Sequence, residues 1–143
     1  MIDIPGATCT LDKWQRIQNL HYAITVSEAA QEWGLPRSSI RYPINAGHIP
    51  ARVSKAARIA SRVDLEAYFF YKPVDERLRP DLSIILTNKE VARIYSISIV
   101  AVTQALYRET VIARQSASRW LVDARSAYEM WGWRLDGLAS DGA

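Results

Sequence analysis

The residues most suited to chemistry in this chain are its basic side chains. Between residues 37 and 62 there are six of them and no acidic residue: Arg37, Arg41, Arg52, Lys55, Arg58 and Arg62. Carboxylates gather after this stretch, from Asp64 to Glu66 and at Asp75 and Glu76. Such local asymmetry of charge favours a polyanionic partner. A solvated basic face is the alternative explanation of the same pattern.

The chain lacks the residue patterns that catalysis needs. It has two histidines, His21 and His48, and one cysteine, Cys9. There is no glycine-rich phosphate loop and no pair of carboxylates at a spacing suited to acid–base work. The cysteine has neither a disulfide partner nor nearby metal ligands, so it is expected to be a free thiol. We therefore expect no enzyme, no cofactor and no metal site.

Length and composition set the scale of the protein. A chain of 143 residues with a net charge of +3 forms one ordinary domain or two very small ones. No run of about 18 apolar residues is present, and the first residues have neither a basic leader nor an apolar signal core. We expect a cytoplasmic protein with no membrane partner.

The chain contains an internal repeat. Residues 24–68 align without a gap on residues 86–130, and identical residues at matching positions include Thr25 and Thr87, Glu28 and Glu90, and Arg52 and Arg114. We infer two copies of one unit, copy 1 over 24–70 and copy 2 over 86–134. An amphipathic helical flank covers 1–23, a linker covers 71–85 and a flexible tail covers 135–143.

Each copy carries the same signals for secondary structure. Thr25 and Thr87 are followed three residues later by glutamate, which predicts a capping box at a helix start. The first helix ends near Gly34 or Ser96, and a second helix covers about 37–46 or 99–108. A β-hairpin and a closing helix, over about 63–70 or 123–133, complete the copy. The predicted fold class is mainly α with small β-hairpins.

Copy 1 resembles a known DNA-binding family. Its sequence, TVSEAAQEWGLPRSSIRYPINAGHIPARVSKAARIASRVDLEAY, matches the opening, turn, I-R-Y helix, G-x-I-P exit and D-L closing helix of the excisionase and MerR-type winged helix-turn-helix unit. Copy 2, with LTNKEVARIYSIS, is similar to the excisionase side of that superfamily. The resemblance implies tandem winged helix-turn-helix units that bind double-stranded DNA as a transcription regulator. It also implies a nucleoid-associated protein of prokaryotic or phage origin.

The resemblance assigns a role to particular residues. It places the second helix in the major groove and the hairpin, or wing, on the backbone. The groove candidates are Arg37, Ser38, Arg41 and Tyr42 in copy 1 and Ser98, Thr103, Gln104 and Tyr107 in copy 2. The wing candidates are Arg52, Lys55, Arg58, Arg114 and Arg119. Arginine suits guanine, glutamine suits adenine, and hydroxyls and wing cations suit phosphates.

Three departures from the family pattern limit what is carried over. The wing turns, SKAA and QSAS, lack glycine, which predicts wider hairpin tips. We expect neither the long dimerisation helix nor the effector domain of MerR-type regulators, so metal or drug sensing is not carried over. Pro43 lies inside the second helix of copy 1, and we expect that helix to kink or to end around Tyr42. Copy 2 would then read bases while copy 1 anchors the backbone.

Other functions remain open at this level. The same units serve excisionase-like factors that bend DNA in recombination, and winged helices are also reused as protein-interaction modules. Tryptophans near both ends, such as Trp14, Trp131 and Trp133, either cover the two small cores or form a surface for a homodimer or protein partner.

Overall fold

Residues 4–54 and 57–135 are described by a computed structural model, in which the same order of elements occurs twice. The helices of this part are α1 (Lys13–His21), α2 (Val26–Trp33), α3 (Arg37–Asn45), α4 (Arg62–Phe70), α5 (Asn88–Tyr95), α6 (Ile99–Tyr107) and α7 (Ala124–Trp131). The strands are β1 (Ala23–Thr25), β2 (Ala51–Ser54), β3 (Ala57–Ser61), β4 (Ile85–Thr87), β5 (Ala113–Ser116) and β6 (Arg119–Asp123). Short 3-10 turns lie at Glu76–Leu78 and Leu82–Ile84.

Each copy contains a three-stranded antiparallel sheet. The strand orders are β1-β3-β2 and β4-β6-β5, and the pairing of Ala23 with Ser61 matches that of Ile85 with Asp123. The predicted helices and hairpins are confirmed. The structure is mixed α/β, however, because a short strand before the first helix of each copy pairs with the hairpin. A three-residue strand carries too little alternation to be recognised from sequence.

The two first helices begin as the capping pattern predicts. At α5 the capping box is complete, since Thr87 accepts from the Glu90 amide and Glu90 accepts from the Thr87 amide at 2.9 Å. At α2 the Thr25 hydroxyl accepts from the Glu28 amide, but the amide of Thr25 donates to the Ser116 hydroxyl of copy 2 instead. The missing half of the box is the first sign that the copies interlock.

Left-handed backbone conformations also repeat. Gly34 ends α2 with φ of 65°, and Ser96 ends α5 with φ of 52°. Gly47 follows α3 with φ of 82°, and Glu109 occupies the matching place with φ of 58°. Copy 2 therefore makes the same turns as copy 1 without glycine, at a cost in backbone strain.

Two local expectations are wrong, namely that α3 ends around Tyr42 and that the β5–β6 tip is wide. Helix α3 does not end at Tyr42 but continues through Pro43 to Asn45, and Ala46 still donates to the Tyr42 carbonyl at 2.9 Å. Only one backbone bond is removed, and the proline ring is buried in the apolar face. The β5–β6 tip is not wide, because Ala117, with φ of 58°, and Ser118 alone join the strands. The corresponding tip of copy 1, Lys55 and Ala56, lies outside the described residues.

The copies have separate cores and share a third. Apolar residues of α2, α3, β3 and α4 form the core of copy 1, and those of α5, α6, β6 and α7 form the core of copy 2. Between them lies the shared core, whose buried members are Leu20, Ala23, Ile59, Ile85 and Leu121. Leu82 packs against this shared core, so the end of the predicted linker is part of it.

The flanks divide between packing and exposure. Ile4 and Leu11 pack against the core of copy 2, as does Trp131. In contrast, Trp14 is 76% exposed and Trp133 is 65% exposed. The predicted tail, apart from Leu135, falls outside the described residues. Among the described helices, none has the length and apolar character required to cross a membrane.

Candidate functional site

The two hairpins cross, each onto the opposite copy. Arg52 on β2 makes a bidentate ion pair with Glu90 on α5, with distances of 2.8 and 2.9 Å. Arg114 on β5 makes the same pair with Glu28 on α2, with both distances at 2.9 Å. Arg52 and Arg114 occupy matching positions of the two copies, and so do Glu28 and Glu90. The chain therefore contains within itself the reciprocal contact of a two-fold symmetric dimer.

The backbone contacts of these arginines follow the same symmetry. Arg52 donates from Nε to the Leu82 carbonyl at 3.1 Å, and Arg114 donates from Nε to the Leu20 carbonyl at 2.8 Å. A terminal nitrogen of Arg52 also donates to the Ile85 carbonyl, and one of Arg114 donates to the Ala23 carbonyl. Each guanidinium thus joins a carboxylate and two carbonyls of the shared core.

These contacts change the role assigned to the two arginines. Both side chains are about a quarter exposed, and each is neutralised by a carboxylate. A guanidinium engaged in this way is not available as a free cation for a phosphate. The assignment of Arg52 and Arg114 to a DNA-facing wing is therefore corrected: they hold the two copies together.

The electrostatics of the junction favour ionised carboxylates. Burial by itself raises the pKa of Glu28, but hydrogen bonds from Arg114 and Ser116 and the charge of Arg114 outweigh it and hold that pKa below its usual value. Burial likewise opposes ionisation of Glu90, and the hydrogen bonds and charge of Arg52 lower its pKa. Both junction carboxylates are therefore charged at neutral pH.

Beside this junction lies a recess lined by arginines. Arg37 and Arg41 come from α3, Arg58 from β3 and Arg119 from the first position of β6 in copy 2. The start of α2 and Ala57 complete the wall around a cavity of about 140 Å³. Among the described residues, no carboxylate lines it. We call this feature the arginine recess.

The fold positions each of the four arginines. Arg37 and Arg41 are four residues apart on α3 and so lie on one face of the helix. Arg58 is oriented by donating from Nε to Asn45 Oδ1 at 3.1 Å. Arg119 follows the tight β5–β6 tip, and the crossing of that hairpin brings it to copy 1. Within the described part of the chain, none of the four forms an ion pair with an acidic residue.

Among the residues that the structure describes, copy 2 does not repeat the recess. The positions that match Arg37, Arg41 and Arg58 are occupied by Ile99, Thr103 and Trp120. Trp120 packs edge-on against Tyr107 with ring centroids 5.2 Å apart. The arginine recess is therefore a property of one side of the molecule, although it uses a residue from each copy.

The other predicted groove residues have varied surroundings. Ser38, Tyr42, Gln104 and Tyr107 are exposed. The Ser98 hydroxyl accepts from the Ala101 amide as the N-cap of α6, and Thr103 donates to the Ile99 carbonyl at 2.8 Å. Their hydroxyls are thus partly committed to the helix itself. Lys55 lies outside the described residues.

Sequence reasoning missed the carboxylates of the junction. Glu28 and Glu90 were assigned only to capping, yet each also binds an arginine of the other copy. A signal was present, because the repeat keeps both a glutamate and an arginine at matching positions of its two copies. Nothing in the linear sequence states that the partner of each arginine belongs to the opposite copy.

Two further observations concern metal binding and similarity to known proteins. Across residues 4–54 and 57–135, no group of three or more His, Cys, Asp or Glu side chains is placed to hold a metal ion. In comparisons with protein-family models, curated proteins and solved structures, nothing matches this chain. Its function has to be inferred from its own residues.

Proposed function

We propose that the chain binds double-stranded DNA as a transcription regulator, through two tandem winged helix-turn-helix units. In each copy, two helices joined by a tight turn precede a β-hairpin and a closing helix, which is the order of elements in that unit. The exposed side of α3 or α6 would face the major groove. The family resemblance of the sequence motifs and this order of elements support the same function.

One observation carries the proposal: four arginines converge on a recess with no carboxylate among its described lining residues to neutralise them. Bringing like charges together costs free energy unless a counter-charge is present, and structural arginines are usually paired, as Arg52 and Arg114 are here. The recess arginines have no acidic partner among the described residues, so the cluster is suited to bind an external anion. In DNA the phosphate backbone supplies such anions at regular spacing.

The two copies would address different half-sites. On α3 the exposed side carries Arg37 and Arg41, whereas on α6 it carries Val100 and Gln104. Arginines of the recess suit the phosphate backbone, while glutamine pairs with adenine and apolar side chains contact the thymine methyl group. Since the copies are fixed in one chain, the preferred site should be asymmetric. Selection of bound duplexes from a random pool tests this, and enrichment of a perfect palindrome would contradict it.

Binding to a duplex tests the function directly. The affinity is expected to fall steeply with salt, with a log–log slope of about −0.9 for each neutralised phosphate. Arg37→Ala with Arg41→Ala should weaken binding and make the slope shallower. The matched control is Arg93→Ala, which removes an exposed arginine at the end of α5, away from the recess. Equal binding by the double variant and the control would remove the support for DNA binding by copy 1.

A second candidate function is protein binding through α6. Ile99, Val100 and Tyr107 are exposed there, and Val100 is 61% exposed. An exposed group of large apolar side chains is typical of an interaction surface. Sedimentation of the purified chain over a range of concentrations distinguishes the candidates. Self-association that is lost in Val100→Ser, with no salt-dependent binding to DNA, would favour the protein-interaction module.

A further inference from the structure

The arginine recess requires both copies. Three of its arginines come from α3 and β3 of copy 1, but Arg119 is supplied by copy 2. Arg119 reaches the recess because the nearby Ser116 is fixed to the start of α2: its hydroxyl lies 2.7 Å from that of Thr25 and also donates to Glu28. The contacts that join the copies therefore also bring Arg119, the fourth arginine, to the recess.

The geometry points to a site for one phosphate group, and we propose that the arginine recess binds a single backbone phosphodiester of DNA. The source of the phosphate rests on the proposed DNA-binding function. A guanidinium offers several N–H donors in a planar fork that matches phosphate oxygens. The cavity of about 140 Å³ exceeds the share of a single water, about 30 Å³, so the recess has room for a group larger than water.

The start of α2 adds neutral donors to the same wall. Val26 and Ser27 line the recess as the first two residues of the helix, where amides have no intrahelical acceptor. The Glu28 amide is already used by the Thr25 hydroxyl. Glu28 itself does not line the recess, because its carboxylate is held by Arg114 and Ser116. The junction thus holds the Glu28 carboxylate away from the phosphate site.

A phosphate site on one side only would set the direction in which the chain lies on DNA. Contacts to phosphate fix register and orientation without reading sequence. Because copy 2 has Ile99, Thr103 and Trp120 at the matching positions, its described residues form no equivalent anchor. The recess would hold copy 1 on the backbone and leave α6 to be placed in its groove by the rigid junction.

Titration with inorganic phosphate at low ionic strength tests the site without DNA. Chemical shifts of the arginine Nε–H groups are followed by NMR in the full chain and in Arg119→Gln, Arg41→Gln and the control Arg93→Gln. We expect saturable shifts in the full chain and the control, and at least tenfold weaker binding in the two recess variants. Thermal unfolding without phosphate establishes that each variant is folded.

The same variants are then tested with short DNA duplexes of several sequences. Arg119→Gln should lower the affinity for all duplexes by a similar factor. It should also reduce the log–log slope of affinity against salt by about one, as expected for a phosphate contact. Duplex should also displace inorganic phosphate from the recess. If phosphate produces no saturable shift, or if the recess variants bind phosphate and duplex as the control does, the inferred site is wrong. Phosphate binding without any binding of duplex would uphold the anion site and refute the proposed function and the phosphodiester source.

Discussion

Asn19 and Asp81 exchange two hydrogen bonds across the middle of the molecule. The Asn19 side chain donates to the Asp81 carbonyl at 3.0 Å and accepts from the Asp81 amide at 2.7 Å. The two residues are 62 positions apart, which is the offset of the repeat. Each is therefore the counterpart of the other, and such residues can meet only near the axis that relates the two copies. The repeat thus extends structurally beyond the stretch in which the sequences align.

Both reciprocal ion pairs should contribute to stability, and the pair of Arg52 with Glu90 should contribute more. Arg52→Ala leaves Glu90, whose side chain is 11% exposed, without its ion-pair partner, whereas Arg114→Ala leaves Glu28, 22% exposed, with Arg62 3.8 Å away. Each change should lower the free energy of unfolding by about 2 to 4 kcal/mol, measured by urea denaturation. Arg77→Ala is the control, because the Arg77 side chain is 88% exposed in its pair with Asp75, and it should leave the stability unchanged. A greater loss of stability in Arg114→Ala than in Arg52→Ala would contradict this order.

The junction should weaken in acid. The pKa values of Glu28 and Glu90 are lower in the folded chain than their ordinary value of 4.5, because hydrogen bonds and charge from the arginines outweigh burial. Their contribution is therefore present above that ordinary value and is lost as the pH falls through the lower, folded values. Burial raises the pKa of Asp123, so this group has the opposite sign, and its contribution is lost as the pH rises through its folded value.

A double variant isolates the two glutamates from other groups. Glu28→Gln with Glu90→Gln should be less stable at neutral pH and should lose less stability between about pH 5 and pH 3 than the unchanged chain. The measurement is the urea midpoint as a function of pH. If the two proteins lose the same stability over this range, the carboxylates of the junction do not control the acid response.

Copy 2 should gain stability from glycines that copy 1 already has. Ser96 and Glu109 adopt left-handed conformations where copy 1 has Gly34 and Gly47. Ser96→Gly and Glu109→Gly should each raise the free energy of unfolding by about 0.5 to 1 kcal/mol. Gly34→Ala and Gly47→Ala are the reverse controls and should destabilise. Apart from the adjacent residues, no described atom lies within 4 Å of the position that a Cβ would take at either glycine, so the effect is conformational and not steric. Thermal unfolding of the four variants tests whether the two glycine substitutions stabilise and the two alanine substitutions destabilise the chain.

A buried ion pair joins the N-terminal helix to copy 2 and should stabilise the fold. Arg16 Nη1 on α1 lies 2.6 Å from Asp123 Oδ2, which also accepts from the Ser126 amide at the start of α7. Arg16→Ala would leave a buried carboxylate, of which 1% is exposed, without its cation and should cost about 3 to 5 kcal/mol. Arg16→Met with Asp123→Asn should recover part of that loss, because no buried charge then remains. A double variant no more stable than Arg16→Ala would contradict this explanation.

Local features were predictable because neighbouring residues encode them. The threonine and glutamate at each helix start, the glycine after α2 and the hairpin strands were placed correctly, since caps and turns depend on residues a few positions apart. The end of α3 was predicted too early, around Tyr42, because the cost of Pro43 was weighed without the burial of its ring in the apolar face of the helix. The third strand of each sheet was missed because its partner is distant in sequence.

The sequence by itself determined the repeat, the order of elements in each copy and the concentration of positive charge in copy 1. Only the tertiary structure decided which of those charges are neutralised. Arg52 and Arg58 are six residues apart in the same hairpin, yet the first is paired with Glu90 and the second lines the arginine recess. The reason is physical: a guanidinium pairs with whatever carboxylate packing brings within about 3 Å, and that partner lies in the other copy. Periodicity and charge pattern carry no information about such a contact.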